Sequence, residues 1–197
     1  MEILQAIILG IIEGLTEFLP ISSTGHLIVA ADVMNYKDTA EIFTVVVQLG
    51  AIAAVIWFYR QQLLQLLFGG LKGDAKARNF ILNWAIATTP ALVVGYLLKD
   101  VLDVYAVALT VGITLILGGF AILVIEKYNR APAPPKKGDR LEALTRKQAL
   151  MVGCYQIMAL IPGVSRSGAT IMGGLLSGLD RVTATAFFFY LSIPIII

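Results

Sequence analysis

The chain has 197 residues, of which 58% are hydrophobic and 14% charged, and its formal net charge is +2. A soluble domain is about half apolar and about a quarter charged, so this composition excludes an ordinary soluble enzyme, a disordered chain and a nucleic-acid binder. The single cysteine, Cys154, excludes an internal disulfide and a thiolate zinc cluster, and the single histidine, His26, excludes a His-rich metal site. Any metal must sit on oxygen ligands.

The N-terminus lacks a basic leader region, and Glu13 and Glu17 interrupt the first apolar stretch, so it does not read as a secretory signal. Residues 3–31 are apolar but carry Glu13, Glu17, Pro20, Ser22, Ser23, Thr24, Gly25 and His26. That pattern predicts helix, proline-containing break, helix: a re-entrant hairpin rather than a simple span. Three charge-free stretches follow, 42–59, 80–98 and 104–125, each close to the ~20 apolar residues that cross the hydrocarbon. Their polar intrusions, Gln48, Asn83 and Thr114, read as interhelical hydrogen-bonding groups. Residues 148–179 repeat the interrupted pattern, with Gln156, Pro162, Gly163, Ser165, Arg166, Ser167, Gly168 and Thr170. A last apolar run, 182–197, is cut short at Ile197, which predicts further C-terminal sequence in the natural protein. The expected architecture is a single polytopic membrane domain over 1–197, all-α, with transmembrane helices and two re-entrant helical hairpins.

The loops carry a charge bias. Arg60, Lys72, Lys76 and Arg78 follow the first span, and Lys127, Arg130, Lys136, Lys137, Arg140, Arg146 and Lys147 follow the third. The other side offers Lys37 and Lys99 against Asp32, Asp38, Glu41, Asp100 and Asp103. The positive-inside rule places the basic loops in the cytoplasm; the stretch 131–135, Ala-Pro-Ala-Pro-Pro, is a stiff extended segment within the second. Counting spans, the first hairpin dips from outside and the second from inside. Leu19-Pro20-Ile21-Ser22-Ser23-Thr24-Gly25 resembles Ile161-Pro162-Gly163-Val164-Ser165-Arg166-Ser167-Gly168 with one insertion. This is the pattern of an inverted-topology repeat, whose broken helices meet near the midplane to form a site.

Charges at membrane depth cost about 2.5–3.5 kcal/mol each on insertion scales. Glu13 and Glu17 are four apart on one helical face, and two such carboxylates need a shared proton, a divalent cation or a guanidinium. Arg166 stands where Pro162 and Gly163 end one helix and a small polar run opens the next. Its fork, the unpaired amides of that helix start and the hydroxyls of Ser165, Ser167 and Thr170 make an anion cradle suited to phosphate. The plainer alternative is an arginine that only neutralises the two glutamates. Ser23 and His26, three apart, suit a hydroxyl nucleophile and its base, while Ser23 and Thr24 equally suit the N-cap of a helix over 25–31.

The segment Glu13–His26 (EGLTEFLPISSTGH) and the segment Pro162–Thr170 (PGVSRSGAT) resemble the two signature motifs of the bacterial undecaprenyl-diphosphatase family, the bacitracin-resistance type, and Gln48 and Gln156 follow the same pattern. The resemblance implies a multi-pass phosphatase of the bacterial plasma membrane that cleaves undecaprenyl diphosphate to undecaprenyl phosphate and inorganic phosphate, supplying the carrier lipid for peptidoglycan. It implies that Glu13 and Glu17 hold a divalent cation, Mg²⁺ or Ca²⁺, that Arg166 binds phosphate with Ser165, Ser167, Thr170 and Thr24 around it, and that Ser23 and His26 are nucleophile and base in an order the motif leaves open. The family's chain continues for two or three further hydrophobic segments. The partners it implies are the polyprenyl diphosphate and membrane lipids, with a homodimer as a further option, and the site would open toward the outer face. A transporter or flippase of polyprenyl phosphate or another anion is the competing reading, because inverted hairpins with midplane charges also describe carriers.

Overall fold

The computed structural model describes residues 3–36, 42–105, 107–129, 141 and 143–196. Lys37, Asp38, Thr39 and Glu41, the stretch 130–140 with its basic and proline residues, and Ile197 lie outside the described residues. Among the described residues the secondary structure is helical: α1 (Ile3–Thr16), α2 (Ser23–Val33), α3 (Ile42–Lys72), α4 (Ala75–Val104), α5 (Ala108–Tyr128), α6 (Arg146–Gln156), a 3-10 turn (Ile157–Leu160), α7 (Arg166–Leu176) and α8 (Arg181–Ile196).

Helix length separates two kinds of element. α3, α4 and α5 are long and apolar enough to cross a membrane. α1, with 14 residues, spans only about 21 Å at 1.5 Å per residue, and α2, α6 and α7 have 11 each. These are short of the ~30 Å hydrocarbon core. Each short pair folds back on itself. Gln5, near the start of α1, donates to the Met34 carbonyl just past the end of α2 at 3.1 Å. Gln148, near the start of α6, donates to the Ser177 carbonyl just past the end of α7 at 3.4 Å. Each hairpin therefore has both outer ends on one side.

The long helices overrun their charge-free cores. α3 continues through Arg60-Gln61-Gln62-Leu63-Leu64-Gln65-Leu66-Leu67, a run of strong helix formers, and carries on across Gly69 and Gly70 to Lys72. It stops at Gly73, whose φ of +89° suits glycine and ends the helix. The Asp74 carboxylate then accepts the Lys76 amide at 3.0 Å and opens α4. The basic segment between the first two spans is thus mostly helix, joined by a tight turn.

The core lies between α4, α6, α7 and α8. Phe80, Ala87, Ala149, Val152, Leu175, Phe187, Phe188 and Leu191 are buried there. α6 reaches α4 through small residues: a Cβ on Gly153 would sit 2.5 Å from the Ala87 carbonyl oxygen, so only glycine permits this backbone approach. Of the intrusive polar groups, Asn83 donates to the Leu144 carbonyl at 2.6 Å, and Thr114 donates to the Pro162 carbonyl at 2.7 Å. Both bonds join elements far apart in sequence. At the end of α5 and the start of α8, Arg181 pairs with Glu126.

Pro194 lies inside α8 and has no N–H, so the Tyr190 carbonyl loses its partner four residues on. The Trp84 indole N–H from α4 donates to that carbonyl instead, at 2.8 Å. Trp84→Phe should therefore lower thermal stability by about 1 kcal/mol, the worth of one such bond. In a Pro194→Ala background, where residue 194 again has an amide, the same substitution should cost measurably less. A double-mutant cycle on thermal unfolding in detergent checks this.

Candidate active site

The two hairpin tips meet. Ser167, in the first turn of α7, donates its hydroxyl to the Leu19 carbonyl of the first tip at 2.5 Å and lies 2.9 Å from the Ser165 hydroxyl. The second tip is also pinned to α5. Gly163 has φ +88°, and a Cβ there would fall 2.2 Å from Thr114 Oγ1 and 2.7 Å from Val111 Cα. Only glycine allows both the turn and the approach. On the other side, Gly25 of α2 rests on Leu115 of α5.

The first tip carries the acidic pair. Glu17 follows the end of α1, and its amide still donates to the Glu13 carbonyl at 2.9 Å, which keeps both carboxylates on one face. Both are buried, Glu13 at 0% exposure. Ser23, the first residue of α2, donates its hydroxyl to Glu17 Oε2. The cap of α2 is Ser22, one position earlier than the sequence suggested: its side chain accepts the Gly25 amide at 3.5 Å, and its φ is +62°. His26 turns back along the helix, with Nδ1 2.9 Å from the Ser22 carbonyl oxygen. A carbonyl only accepts, so Nδ1 carries the proton and Nε2 is the basic nitrogen. His26 is exposed and does not line the pocket described next.

At the second tip Ser165 caps α7 by accepting the Gly168 amide at 3.1 Å, and Arg166 is the first helical residue. α2 and α7 thus start at the same place, with their positive ends converging. Between them lies a cavity of about 100 Å³, walled by Glu17, Ser22, Ser23, Thr24, Gln48, Pro162, Ser165 and Arg166 among others. Ser167 and Thr170 stand behind this wall, both buried. Ser167 is taken up by the tip-to-tip bond, and Thr170 donates to Gln156 Oε1 at 3.4 Å. Gln48 is the wall residue that its place in a charge-free span did not reveal. A lone amide among apolar residues is the sequence signal it leaves.

Unsatisfied groups concentrate here. Neither Glu13 oxygen has a hydrogen-bond donor, and Arg166 Nη1 and Gln156 Nε2 have no acceptor. Arg166 lies in the electrostatic field of both Glu13 and Glu17. Buried groups without partners call for an explanation, and an ion or ligand that completes them is one. Among the described residues no set of three or more His, Cys, Asp or Glu side chains gathers at one point. The bare Glu13 oxygens beside Glu17 fit a hard divalent cation of the kind held by one or two carboxylates with the remaining ligands from phosphate and water.

The chain is similar to known proteins over nearly its whole length. Residues 6–197 match the family model described as bacitracin resistance protein BacA. An undecaprenyl-diphosphatase of Methylobacillus flagellatus is 48% identical over 198 residues, covering 99% of this chain and 73% of that protein. An undecaprenyl-diphosphatase of Neisseria gonorrhoeae is 46% identical over 196 residues, covering 99% of this chain and 71% of the relative. An undecaprenyl-diphosphatase 1 of Burkholderia cenocepacia is 49% identical over 196 residues, covering 98% and 71%. With both signature segments inside the matched region and at the joined tips of the two hairpins, the chain belongs to the BacA bacitracin-resistance family.

Proposed function

We propose that this chain is a membrane-embedded undecaprenyl-diphosphatase, a hydrolase that converts undecaprenyl diphosphate to undecaprenyl phosphate and inorganic phosphate and thereby supplies the carrier lipid for the cell wall and confers resistance to bacitracin. The observation that carries the reading is the junction of the two tips: a buried acidic pair whose Glu17 lines one small cavity, a hydroxyl bonded to Glu17, and Arg166 on the same wall with its Nη1 donor unpaired.

In this reading the terminal phosphate enters the cavity and takes the free Arg166 donor and the amides at the starts of α2 and α7. Glu13 and Glu17 would hold a divalent cation, Mg²⁺ or Ca²⁺, whose positive charge would offset that of the diphosphate. Ser23 Oγ attacks the terminal phosphorus and passes its proton to Glu17, to which it is already hydrogen-bonded. The bond from that phosphorus to the bridging oxygen breaks, and undecaprenyl phosphate leaves. Water then attacks the phosphoserine. His26, outside the cavity wall but on the same turn as Ser23, with Nδ1 tied to the Ser22 carbonyl and Nε2 basic, takes the water's proton through intervening solvent, and inorganic phosphate is released as Ser23 recovers its own.

The hairpins are read as re-entrant halves of an inverted repeat, α1–α2–α3 against α6–α7–α8. The same-side ends of each hairpin and the contact of their tips support this. The basic ends of α3 and α5 face the cytoplasm of a bacterium, and the cavity opens toward the outer face of its plasma membrane. Two chains associating as a homodimer are compatible with this arrangement.

Purified protein in detergent with undecaprenyl diphosphate and Mg²⁺ should release inorganic phosphate; no release would overturn the proposal. Ser23→Ala should abolish turnover. Glu17→Gln should cost about 10²–10⁴-fold, the usual worth of a general base, and Glu13→Gln should shift activation to higher Mg²⁺. Arg166→Lys keeps the charge but loses the bidentate fork, so it too should fall steeply. With labelled substrate, His26→Ala should accumulate a phosphoenzyme that survives acid and is lost in base. An acid-labile, base-stable adduct would instead make His26 the nucleophile, and no adduct at all would indicate direct attack by water.

Topology has its own test. In a Cys154→Ser background, a cysteine at Tyr105 should react with an impermeant maleimide from outside intact cells, and one at Gly73 only after the membrane is opened. Equal labelling at both positions would contradict the inverted arrangement.

A further inference from the structure

A polar side chain in a spanning helix is costly unless it finds a partner. Asn83 and Thr114 find theirs in the Leu144 and Pro162 carbonyls. The Gln48 side chain has no such partner among the described residues, although it stands half-buried in a run of Val45, Val46, Val47 and Leu49. It lines the cavity at the hairpin tips. The other wall residues belong to the tips or to the turn that leads into the second of them. Among the described residues, Gln48 is thus the contribution of a long helix to a site otherwise built by the two hairpins.

The remaining polar groups of the wall have other duties. Ser22 and Ser165 cap α2 and α7, Glu17 accepts the Ser23 hydroxyl, and Arg166 donates but cannot accept. Thr24 follows Ser23 on the same helical turn, so it stands on the nucleophile's side. Gln48 comes from a third element and offers an acceptor oxygen and two donor hydrogens, none of them taken. Resting on the phosphatase reading and its phosphoserine step, we infer that Gln48 is a catalytic residue for the second half of the reaction. Its Oε1 accepts a hydrogen bond from the hydrolytic water, its Nε2 donates to a phosphoryl oxygen, and the two together aim the water at phosphorus. An in-line displacement needs that water on the far side of phosphorus from Ser23 Oγ, the side that the departing lipid phosphate has just vacated. An amide neither takes nor gives up a proton near neutral pH, so Gln48 orients the water and is not its base. It is also uncharged, whereas a carboxylate in its place would repel the phosphoryl group. The water oxygen bonds to phosphorus and the bond from phosphorus to Ser23 Oγ breaks. One water proton passes through solvent to His26, and Ser23 takes back the proton left on Glu17.

Gln48→Met keeps the length of the side chain, removes both hydrogen-bonding groups and suits an apolar helix. Rapidly mixed with undecaprenyl diphosphate and Mg²⁺, this variant should release undecaprenyl phosphate in a burst of about one per chain, as fast as the unsubstituted protein does. It should then turn over about 10²-fold more slowly, the scale on which a misaligned reacting group costs rate. kcat and KM should fall together while kcat/KM holds, because kcat/KM reports only the steps up to the departure of undecaprenyl phosphate. Label from the terminal phosphate should collect on the chain as an adduct that survives acid and is lost in base. A burst that slows along with turnover, or a fall in kcat/KM, places Gln48 in substrate binding or the first step and overturns the inference. Unchanged turnover overturns it too. Gln48→Asn keeps the amide in the helix but withdraws it by one methylene, and it carries the test where Gln48→Met does not fold. It should also show a normal burst, slow turnover and trapped label, and normal turnover or a lost burst overturns the inference. Phosphate release without an adduct in either Gln48→Met or His26→Ala overturns the phosphoserine step and the role of Gln48, and leaves the phosphatase reading standing. No phosphate release by the unsubstituted chain overturns that reading as well.

Discussion

A charge in hydrocarbon must find its opposite, and the rest of this structure follows from that constraint. Glu13 and Glu17 come from one segment and Arg166 from another about 150 residues later, and each alone would be costly at membrane depth. Bringing them together requires two broken helices to meet tip to tip, which the Ser167–Leu19 bond fastens. Broken helices expose backbone groups that lipid cannot satisfy. The serine caps at 22 and 165 take up some of them, and α5 takes up another through Thr114 and the Pro162 carbonyl. The small residues Gly25 and Gly163 let α5 come close enough to do so. The helices that carry no chemistry thus hold in place the ones that do.

The same junction explains why the site stays short of partners. A fully satisfied cluster would be a structural ion network with nothing to offer a ligand. Here Ser23 is committed to Glu17, while both Glu13 oxygens and Arg166 Nη1 are left open. Open acidic and basic groups side by side suit a ligand that brings both signs, such as a phosphate with its counter-cation. Stability is forgone at the centre and recovered in the apolar core of α4, α6, α7 and α8, where Phe80, Phe187 and Phe188 are buried.

Much of this was legible in the sequence because membranes make polar residues conspicuous. Pro20 and Pro162 mark the breaks, and Glu13, Glu17, Ser23 and Arg166 stand out against their surroundings as candidate site residues. What was not legible depends on side-chain direction. The sequence does not tell that Ser22, rather than Ser23 or Thr24, caps α2, because that turns on a backbone angle. Nor does it tell that Ser167 and Thr170 spend their hydroxyls on Leu19 and Gln156 while Ser165 faces the cavity. His26 is similar: its spacing from Ser23 suggests contact, yet its ring turns to the Ser22 carbonyl. The reach of α3 to Lys72 is not legible for another reason. Charge-free length measures what lipid tolerates, and helix propensity continues beyond it.

Ser22 has a consequence of its own. A non-glycine residue at φ +62° sits in the left-handed region at a cost of roughly 1–2 kcal/mol. Glycine would relax the backbone, but it would remove the hydroxyl that caps α2 and leave a looser hinge under the carbonyl that orients His26. The strained serine acts as a wedge that sets the angle at which Ser23 and His26 leave the same turn. A search for heat-tolerant variants would be drawn to this position, and the gain in robustness there would be taken from the alignment of Ser23 and His26.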